Sequence, residues 1–157
     1  MAPKTEEWNN AIAEEDAVAL VREMAQAGDA RAMRILGVAY RNGKGGVKKD
    51  FEQAFIWLSK AAALRDVTSL TACGVAYLFG MGVERSISRG LSIIGVAAGM
   101  GSEQACGILG HANEEGKYGF DKNQEEALRW YREMQMCVAR DACEKMRFRA
   151  AACLSGE

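Results

Sequence analysis

One block of sequence occurs three times in this chain at nearly constant spacing. Its copies are LGVAYRNGKGGV, CGVAYLFGMGV and LGHANEEGKYGF, which begin at Leu36, Cys73 and Leu109. The glycines at the second position of the block lie 37 and 36 residues apart, at Gly37, Gly74 and Gly110. Another glycine follows six residues after each of them, at Gly43, Gly80 and Gly116. A period of this length is typical of stacked helix–turn–helix units, which bury their apolar faces only against one another.

A second matched segment follows each block. These segments are AFIWLSKAA, GLSIIGVAA and ALRWYREMQ, which begin at Ala54, Gly90 and Ala127. The single proline is Pro3, so no later residue interrupts a helix in the way that proline does. The sequence therefore predicts an all-α chain in which each copy is one helix–turn–helix unit.

The two ends of the chain extend the same pattern. AVALVREMAQAGD, from Ala17, aligns with the second segment, and ARDACEKMRFRAA, from Ala139, aligns with the first. We therefore predict a tail at residues 1–10 and a single solenoid domain at residues 11–157. Its parts are an N-terminal half repeat, three repeats and a C-terminal capping helix with a tail, at residues 11–27, 28–64, 65–100, 101–137 and 138–157.

The turn of the first copy, RNGKGGVKKD at residues 41–50, contains the glycines and lysines that are common in phosphate-binding loops. It does not fit the Walker pattern, because no Gly-Lys pair is followed by Ser or Thr. The equivalent turn also recurs in the other two copies. We therefore interpret it as a turn whose glycines supply the positive φ angles that end the first helix of each copy.

Polar residues mark the start of the second helix of each copy. Asp50, Ser86 and Asn123 occupy the same repeat position and are predicted N-caps. Asp50 with Gln53, and Asn123 with Glu126, have the spacing of capping boxes, in which each side chain bonds the backbone N–H of the other residue.

The composition is that of an ordinary globular domain, with 49% apolar and 26% charged residues. The net charge of −1 provides no long-range field for nucleic acid or an anionic membrane, so neither is an expected partner. The start, MAPKTEEWNN, lacks the pattern of a secretory signal, and no apolar run reaches membrane-spanning length. Five cysteines, an odd number, fit no zinc or CxxC spacing, which favours free thiols in the cytoplasm or another reducing compartment.

The combined pattern resembles the Sel-1-like repeat family, whose unit reads approximately A-x-x-x-L-G-x-x-Y-x-x-G-x-G-V and then D-x-x-x-A-x-x-W-x-x-x-A-A. The first copy matches at Ala32, Leu36, Gly37, Tyr40, Gly43, Gly45, Val47, Asp50, Ala54, Trp57, Ala61 and Ala62. The second copy matches at Gly74, Tyr77, Gly80, Gly82, Val83, Ala97 and Ala98. The third copy matches at Ala105, Leu109, Gly110, Gly116, Ala127 and Trp130. Three positions depart from the pattern, with Ile93 for Trp, Gly90 for Ala and Asn113 for Tyr.

The resemblance implies a right-handed superhelix of antiparallel helix pairs, related to tetratricopeptide repeats, that acts as a scaffold or adaptor for other proteins. It carries over no catalytic residue, no metal ligand and no cofactor, so we expect the protein not to be an enzyme. His111 is the only histidine, and Cys106, five residues earlier, is off its helical face, which argues against a Cys–His catalytic pair.

The face of each first helix opposite its buried stripe is predicted to bind a partner. By analogy with related repeats it would line the concave groove of the solenoid, which is expected to be basic at one end, apolar in the middle and acidic at the other. The predicted contacts are Arg31, Arg34, Val38, Arg41, Thr68, Thr71, Val75, Leu78, Gln104, His111 and Glu114. We expect a protein or peptide ligand with an acidic segment near the arginines, and leave open the oligomeric state and the alternative that these are solvated charges without a ligand.

The cysteines support an alternative function, a thiol-dependent assembly or redox factor that uses Cys137, Cys143 and Cys153. In disulfide-bonded members of the family, one cysteine ends the second helix of a copy and its partner begins the next helix. Cys106 and Cys143 hold the first-helix position, and their partners are expected near Gly99 and Met136, neither of which is a cysteine. Cys137 is one residue from the second of these positions, so the resemblance implies one candidate bond, Cys137–Cys143.

Two features bear on stability. Trp57 and Trp130 lie at helical spacing and are predicted to anchor the packing of the first and third copies. The second helix of the middle copy contains Gly90, Gly95 and Gly99, each of which costs ~1 kcal/mol relative to alanine. The middle copy is therefore predicted to be the least stable.

Overall fold

The computed structural model describes the backbone of residues 17–155 and the side chains of residues 17–140. Over these residues the chain has seven helices and no strand, and the predicted class, an all-α helical repeat solenoid, is confirmed. Helix α1 covers residues 17–26. The others are α2 Ala30–Asn42, α3 Phe51–Ala63, α4 Val67–Phe79, α5 Ile87–Gly99, α6 Glu103–Glu115 and α7 Gln124–Ser155. The chain divides within α5 into two compact units, an N-terminal unit up to Ile93 and a C-terminal unit from Ile94.

Glycines end the first helix of each copy, as predicted. Gly43, Gly80 and Gly116 follow α2, α4 and α6 with φ angles of 66°, 69° and 67°. Each donates its backbone N–H to the carbonyl of the alanine four residues earlier. Glycine adopts this left-handed conformation without the steric cost of a Cβ. The interpretation of residues 41–50 as a turn is therefore confirmed.

Side-chain caps begin the helices. Asp29, Asp66 and Ser102 accept the backbone N–H three residues later, at 2.8, 2.7 and 3.2 Å, and so begin α2, α4 and α6. The predicted caps Asp50 and Asn123 are confirmed, because they accept the N–H groups of Gln53 and Glu126 at 3.0 and 3.1 Å. These bonds satisfy backbone donors that a helix start otherwise leaves unpaired.

The same hydrogen bond crosses the turn in all three copies. The backbone N–H of Asp50, Ser86 and Asn123 donates to the carbonyl of Tyr40, Tyr77 and Asn113, at 2.9 Å each time. Since this donor is already used, the Gln53 and Glu126 side chains do not complete the reciprocal half of the predicted capping boxes. That part of the prediction was wrong, because the first helix of the copy supplies the acceptor instead.

Small residues let the two helices of a copy approach closely. In the N-terminal unit, a Cβ on Gly37 would lie 2.7 Å from Leu58 Cγ. In the C-terminal unit, a Cβ on Gly110 would lie 2.6 Å from Tyr131 Cε1. The core consequently consists of alanines and medium-sized side chains, the largest fully buried ones being Leu36, Leu78, Ile94, Cys106 and Ser69. The predicted tryptophan anchors, Trp57 and Trp130, are only half-buried.

The middle copy uses glycine on both helices. Gly74 of α4 and Gly90 of α5 face each other, since a Cβ on Gly90 would lie 2.9 Å from the Gly74 carbonyl oxygen. It would also lie 2.8 Å from Leu78 Cδ2. Gly90, where the first and third copies have alanine, therefore makes room for the buried Leu78 side chain.

The last helix is longer than the repeat pattern predicts. α7 runs without a break from Gln124 to Ser155, so the capping segment predicted from residue 138 continues the second helix of the third copy. Elsewhere a residue with positive φ precedes each first-helix cap, at Gly28, Arg65 and Gly101. Val138 and Ala139 occupy the corresponding positions before the fourth copy. A β-branched residue strongly disfavours positive φ and alanine has no capping oxygen, so nothing ends the helix there.

Candidate partner-binding surface

In the N-terminal unit, the predicted binding residues divide into exposed and buried groups. Arg31 and Thr68 are exposed, and Arg34, Val38, Arg41 and Val75 are half-buried. Thr71 and Leu78, however, are only 3% and 1% exposed. These two residues cannot offer a side chain to a partner.

Packing explains why these two positions are lost from the surface. The Thr71 hydroxyl donates to the Val67 carbonyl at 3.0 Å, one turn back in α4. Leu78 lies in the space left by Gly90. The sequence pattern of the first copy, in which both positions hold arginine, contains no sign of either contact.

Arg34 has a partner within the chain. Its Nε lies 3.3 Å from Asp66 Oδ2, and the Asp66 Oδ1 accepts the Ser69 backbone N–H at 2.7 Å. One carboxylate thus caps α4 and pairs with a guanidinium of α2. The ion pair ties the first helix of one copy to the first helix of the next.

The exposed stripe is rotated from the predicted one by about 50° around the helix axis, and the two stripes share Arg31 and Val38. On α4 it follows residues four and three apart, Thr68, Ala72, Val75 and Phe79, which share one helical face. On α2 the equivalent residues are Arg31, Ile35, Val38 and Asn42. We call these eight residues the first-helix face. Ile35 and Phe79 are 48% and 60% exposed, and Arg34 and Arg41 border the face.

Sequence reasoning did not include Ile35 or Phe79 among the predicted contacts. A signal was present in both cases, because Ile35 follows Arg31 by four residues and Phe79 follows Val75 by four. The predicted binding stripe depended on which side of each first helix was assumed to face the neighbouring helices. That assumption placed Arg34 and Arg41 within the stripe.

In the C-terminal unit, the predicted residues Gln104, His111 and Glu114 are all exposed on α6. His111 Nε2 lies 3.4 Å from Glu115 Oε2, and its Nδ1 lies 3.9 Å from Glu114 Oε2. The Tyr131 hydroxyl donates to Glu114 Oε2 at 2.8 Å, which raises the pKa of the tyrosine. This end of α6 is therefore acidic and is held by its own polar contacts.

A hydrogen bond from Lys117 lowers the pKa of Glu115, with a smaller contribution from His111. The carboxylate is consequently charged at neutral pH. Among the side chains that the structure describes, no group of three or more His, Cys, Asp or Glu residues is placed to hold a metal ion. Nor does any helix in the described part of the chain combine the length and the apolar character needed to cross a membrane.

The three described cysteines, Cys73, Cys106 and Cys137, are buried free thiols. The side chains of Cys143 and Cys153 lie outside the described residues. Cys137 and Cys143 nevertheless share the continuous helix α7, in which six residues span about 9 Å along the axis. Disulfides rarely join Cα atoms more than about 7 Å apart, so α7 as it stands does not accommodate the bond implied by the family resemblance.

Comparison with known proteins agrees with the geometry. The sequence profile of the Sel1 repeat matches residues 30–66, 68–93 and 104–134, more than half of the chain. A crystal structure of a Sel1 repeat protein from Oxalobacter formigenes is 26% identical with a TM-score of 0.72, over 84% of this chain and 53% of that one. The crystal structure of c5321, a protective antigen of uropathogenic Escherichia coli with an SLR fold, is 29% identical with a TM-score of 0.70, over 78% of this chain and 26% of that one.

The chain thus spans about half of the first relative and about a quarter of the second. Proteins built from this repeat are generally protein-interaction scaffolds and are typically not enzymes. With three matched repeats, each a helix pair closed by a glycine turn, this chain belongs to the Sel1 repeat family.

Proposed function

We propose that the protein is a non-enzymatic adaptor that binds a protein or peptide, with an acidic segment, on the first-helix face of its N-terminal unit. The observation that carries the proposal is the row of accessible apolar side chains on α2 and α4, which ends in Phe79, 60% exposed. Aromatic residues and arginine are both enriched among the strongest contact points of protein interfaces.

The arginines give the face a preferred partner charge. Arg31 is exposed on the stripe and Arg41 is half-buried at its border. A guanidinium can hold a carboxylate through two parallel hydrogen bonds, a geometry that lysine does not offer. Arg34 contributes differently, because its ion pair with Asp66 holds α2 beside the start of α4.

The apolar side chains supply the remaining affinity. Ile35, Val38, Val75 and Phe79 retain accessible area that a partner can cover, and burial of such area contributes about 25 cal/mol per Å² before the costs of association. We therefore expect a ligand with apolar residues that contact these four side chains and acidic residues near Arg31 and Arg41. Gln104, His111 and Glu114 remain proposed contacts of the C-terminal unit by itself, and their acidic surroundings favour a basic ligand segment there.

A peptide-display selection tests this proposal without knowledge of the natural partner. The full-length chain selects from a random peptide library, and the enriched sequences are measured individually against substituted proteins. Arg31→Glu and Phe79→Ser alter the first-helix face. Arg89→Glu and Ile56→Ser are matched controls, since they make the same changes at exposed positions of the second helices α5 and α3.

We expect enriched peptides to carry acidic and apolar residues. Arg31→Glu and Phe79→Ser should each weaken binding by roughly tenfold or more, which corresponds to about 1.4 kcal/mol. The controls should bind as the unmodified chain does. Equal loss in the control variants, or enriched peptides indifferent to all four changes, would remove this face as the binding site.

Arg34→Glu and Leu78→Asp are unsuitable probes of binding. The first would place a carboxylate against Asp66, and the second would bury a charge at a position only 1% exposed. Both changes would damage the fold, so a loss of binding in either variant would not identify the site.

A further inference from the structure

The C-terminal unit contains a cavity of about 360 Å³ between the end of α5, the start of α6 and the middle of α7. Its lining includes Trp130 and Glu133 of α7 and two cysteines, Cys106 of α6 and Cys137 of α7. The two cysteines are 1% and 7% exposed, so the cavity is their route to solvent. The two thiols are close enough for Cys137 to contribute to the raised pKa of Cys106.

The packing of α6 on α7 holds this thiol pair in place. Gly110 lies against the Tyr131 ring, and a Cβ on Gly107 would be 3.4 Å from Met134 Sδ. These contacts fix the register of the two helices near Cys106 and Cys137. The cysteines come from different helices and are 31 residues apart in sequence, so only the tertiary structure brings them together.

We propose that Cys106 and Cys137 form a redox-active pair that a small disulfide entering the cavity oxidises to an intrachain disulfide joining α6 and α7. A disulfide joins two sulfurs at about 2.05 Å, so oxidation requires the side chains of Cys106 and Cys137, which line the same cavity, to turn towards each other. The adjacent cavity provides space for the side-chain rotations that this approach requires. This bond is distinct from the Cys137–Cys143 bond, whose residues are separated along one helix.

The reaction proceeds by two thiol–disulfide exchanges. The Cys137 thiolate attacks one sulfur of the external disulfide, whose S–S bond breaks and releases one thiolate. The Cys106 thiolate then attacks the Cys137 sulfur of the mixed disulfide and releases the second thiolate. In total, the two cysteines lose two protons and two electrons, and the external disulfide is reduced to two thiols.

Cys137 is the first nucleophile because it is the more exposed of the two. Burial, reinforced by Cys137 and by Glu133, raises the pKa of Cys106 to about 11. At neutral pH the Cys106 thiol is therefore almost entirely protonated and unreactive towards other thiol reagents. It reacts when a mixed disulfide on Cys137 presents a sulfur beside it.

Oxidation of the reduced, full-length chain by hydroxyethyl disulfide tests this assignment. After exposure to the reagent, the reaction is quenched with acid, the remaining thiols are alkylated in denaturant, and proteolytic peptides are identified by mass spectrometry. We expect one peptide pair linked through Cys106 and Cys137, with a mass lower by two hydrogen atoms, and loss of two of the five alkylatable thiols.

Cys73→Ser is the matched control, because Cys73 is also buried but does not line the cavity. The linked peptide should persist in this variant and disappear in Cys106→Ser and in Cys137→Ser. Circular dichroism of each variant checks that it remains folded, and oxidation in denaturant provides the reference for unstructured pairing.

Several results would overturn the assignment. One is a stable adduct of the reagent on Cys137 without closure to Cys106, and another is preferential linkage of Cys137 to Cys143 or Cys153. A third is no difference in pairing between the folded chain and the chain in denaturant.

Discussion

A substitution at Gly90 tests the close packing of α4 against α5 in the middle copy. Alanine occupies the Gly90 position in the first and third copies, at Ala54 and Ala127, so Gly90→Ala restores the pattern of the repeat. From helix propensity alone it should stabilise the protein by ~1 kcal/mol. The structure predicts that Gly90→Ala gives no net gain in stability, or a loss.

The added methyl group at Gly90 has no space. It would lie 2.8 Å from Leu78 Cδ2 and 2.9 Å from the Gly74 carbonyl oxygen, both shorter than normal contacts. The Gly74 oxygen belongs to helix backbone and Leu78 is only 1% exposed, so neither moves easily. Overpacking of this kind costs about 1–3 kcal/mol, which offsets or exceeds the gain in propensity. We expect Gly90→Ala to change stability by about 0 to −2 kcal/mol.

Gly95→Ala is a matched control on the same helix. Gly95 lies in the interior of α5, and a Cβ there would meet no atom within 4 Å. The substitution should therefore give the full propensity gain of ~1 kcal/mol. The two variants should differ by about 1–3 kcal/mol, or by roughly 2–12 °C in Tm.

Urea unfolding followed by far-ultraviolet circular dichroism, with thermal unfolding alongside, measures this difference. A Gly90→Ala variant as stable as Gly95→Ala would contradict the reasoning, because it would show that the crossing of α4 and α5 relaxes without cost. A stabilised Gly90→Ala variant would mean that the glycine is dispensable, and that Leu78 is buried for some other reason.

Two further predictions concern stability. Burial raises the pKa of Cys73 to about 11, so this thiol contributes stability below pH ~9 that is lost as pH rises towards 11. In urea unfolding at pH 9 and pH 11, Cys73→Ala should lose less stability than the unmodified chain, by up to about 3 kcal/mol. Amides of α5 should exchange with deuterium faster than those of α3, since α5 has Gly90 and Gly95 in its interior; equal protection of Ile87–Gly99 and Phe51–Ala63 would count against a soft middle copy.

The repeated part of the fold follows directly from the sequence. The glycine at the end of each first helix and the cap at the start of each second helix are local signals, and Gly43 and Asp50 act as predicted. Local signals also explain why α7 continues past residue 138, where the repeat pattern predicts a separate capping helix. The capping helix was predicted by alignment to the repeat, although Val138 and Ala139 provide neither a positive φ angle nor a cap.

The surface was harder to predict, because it depends on which side of each helix its neighbours cover. The pattern of the first copy alone puts Arg34 and Arg41 on the exposed face. Only the tertiary contacts show that Arg34 pairs with Asp66 and that the position equivalent to Arg41 is buried in the second copy, as Leu78. The meeting of Cys106 and Cys137 is equally non-local, since it depends on the register that Gly110 and Tyr131 set between α6 and α7.

Leu78 and Gly90 show how one copy can lose a surface position without a change of fold. The residues equivalent to Leu78 in the other copies are Arg41 and Glu114, and those equivalent to Gly90 are alanines. Where the second helix has alanine, the charged residue of the first helix, Arg41 or Glu114, stays at or near the surface. Where it has Gly90, the Leu78 side chain packs against the glycine and becomes part of the core. The two substitutions are thus coupled, because either one alone would leave a clash or a cavity. A position in a repeat protein can therefore be assigned to the binding surface only after the residue opposite it on the second helix has been identified.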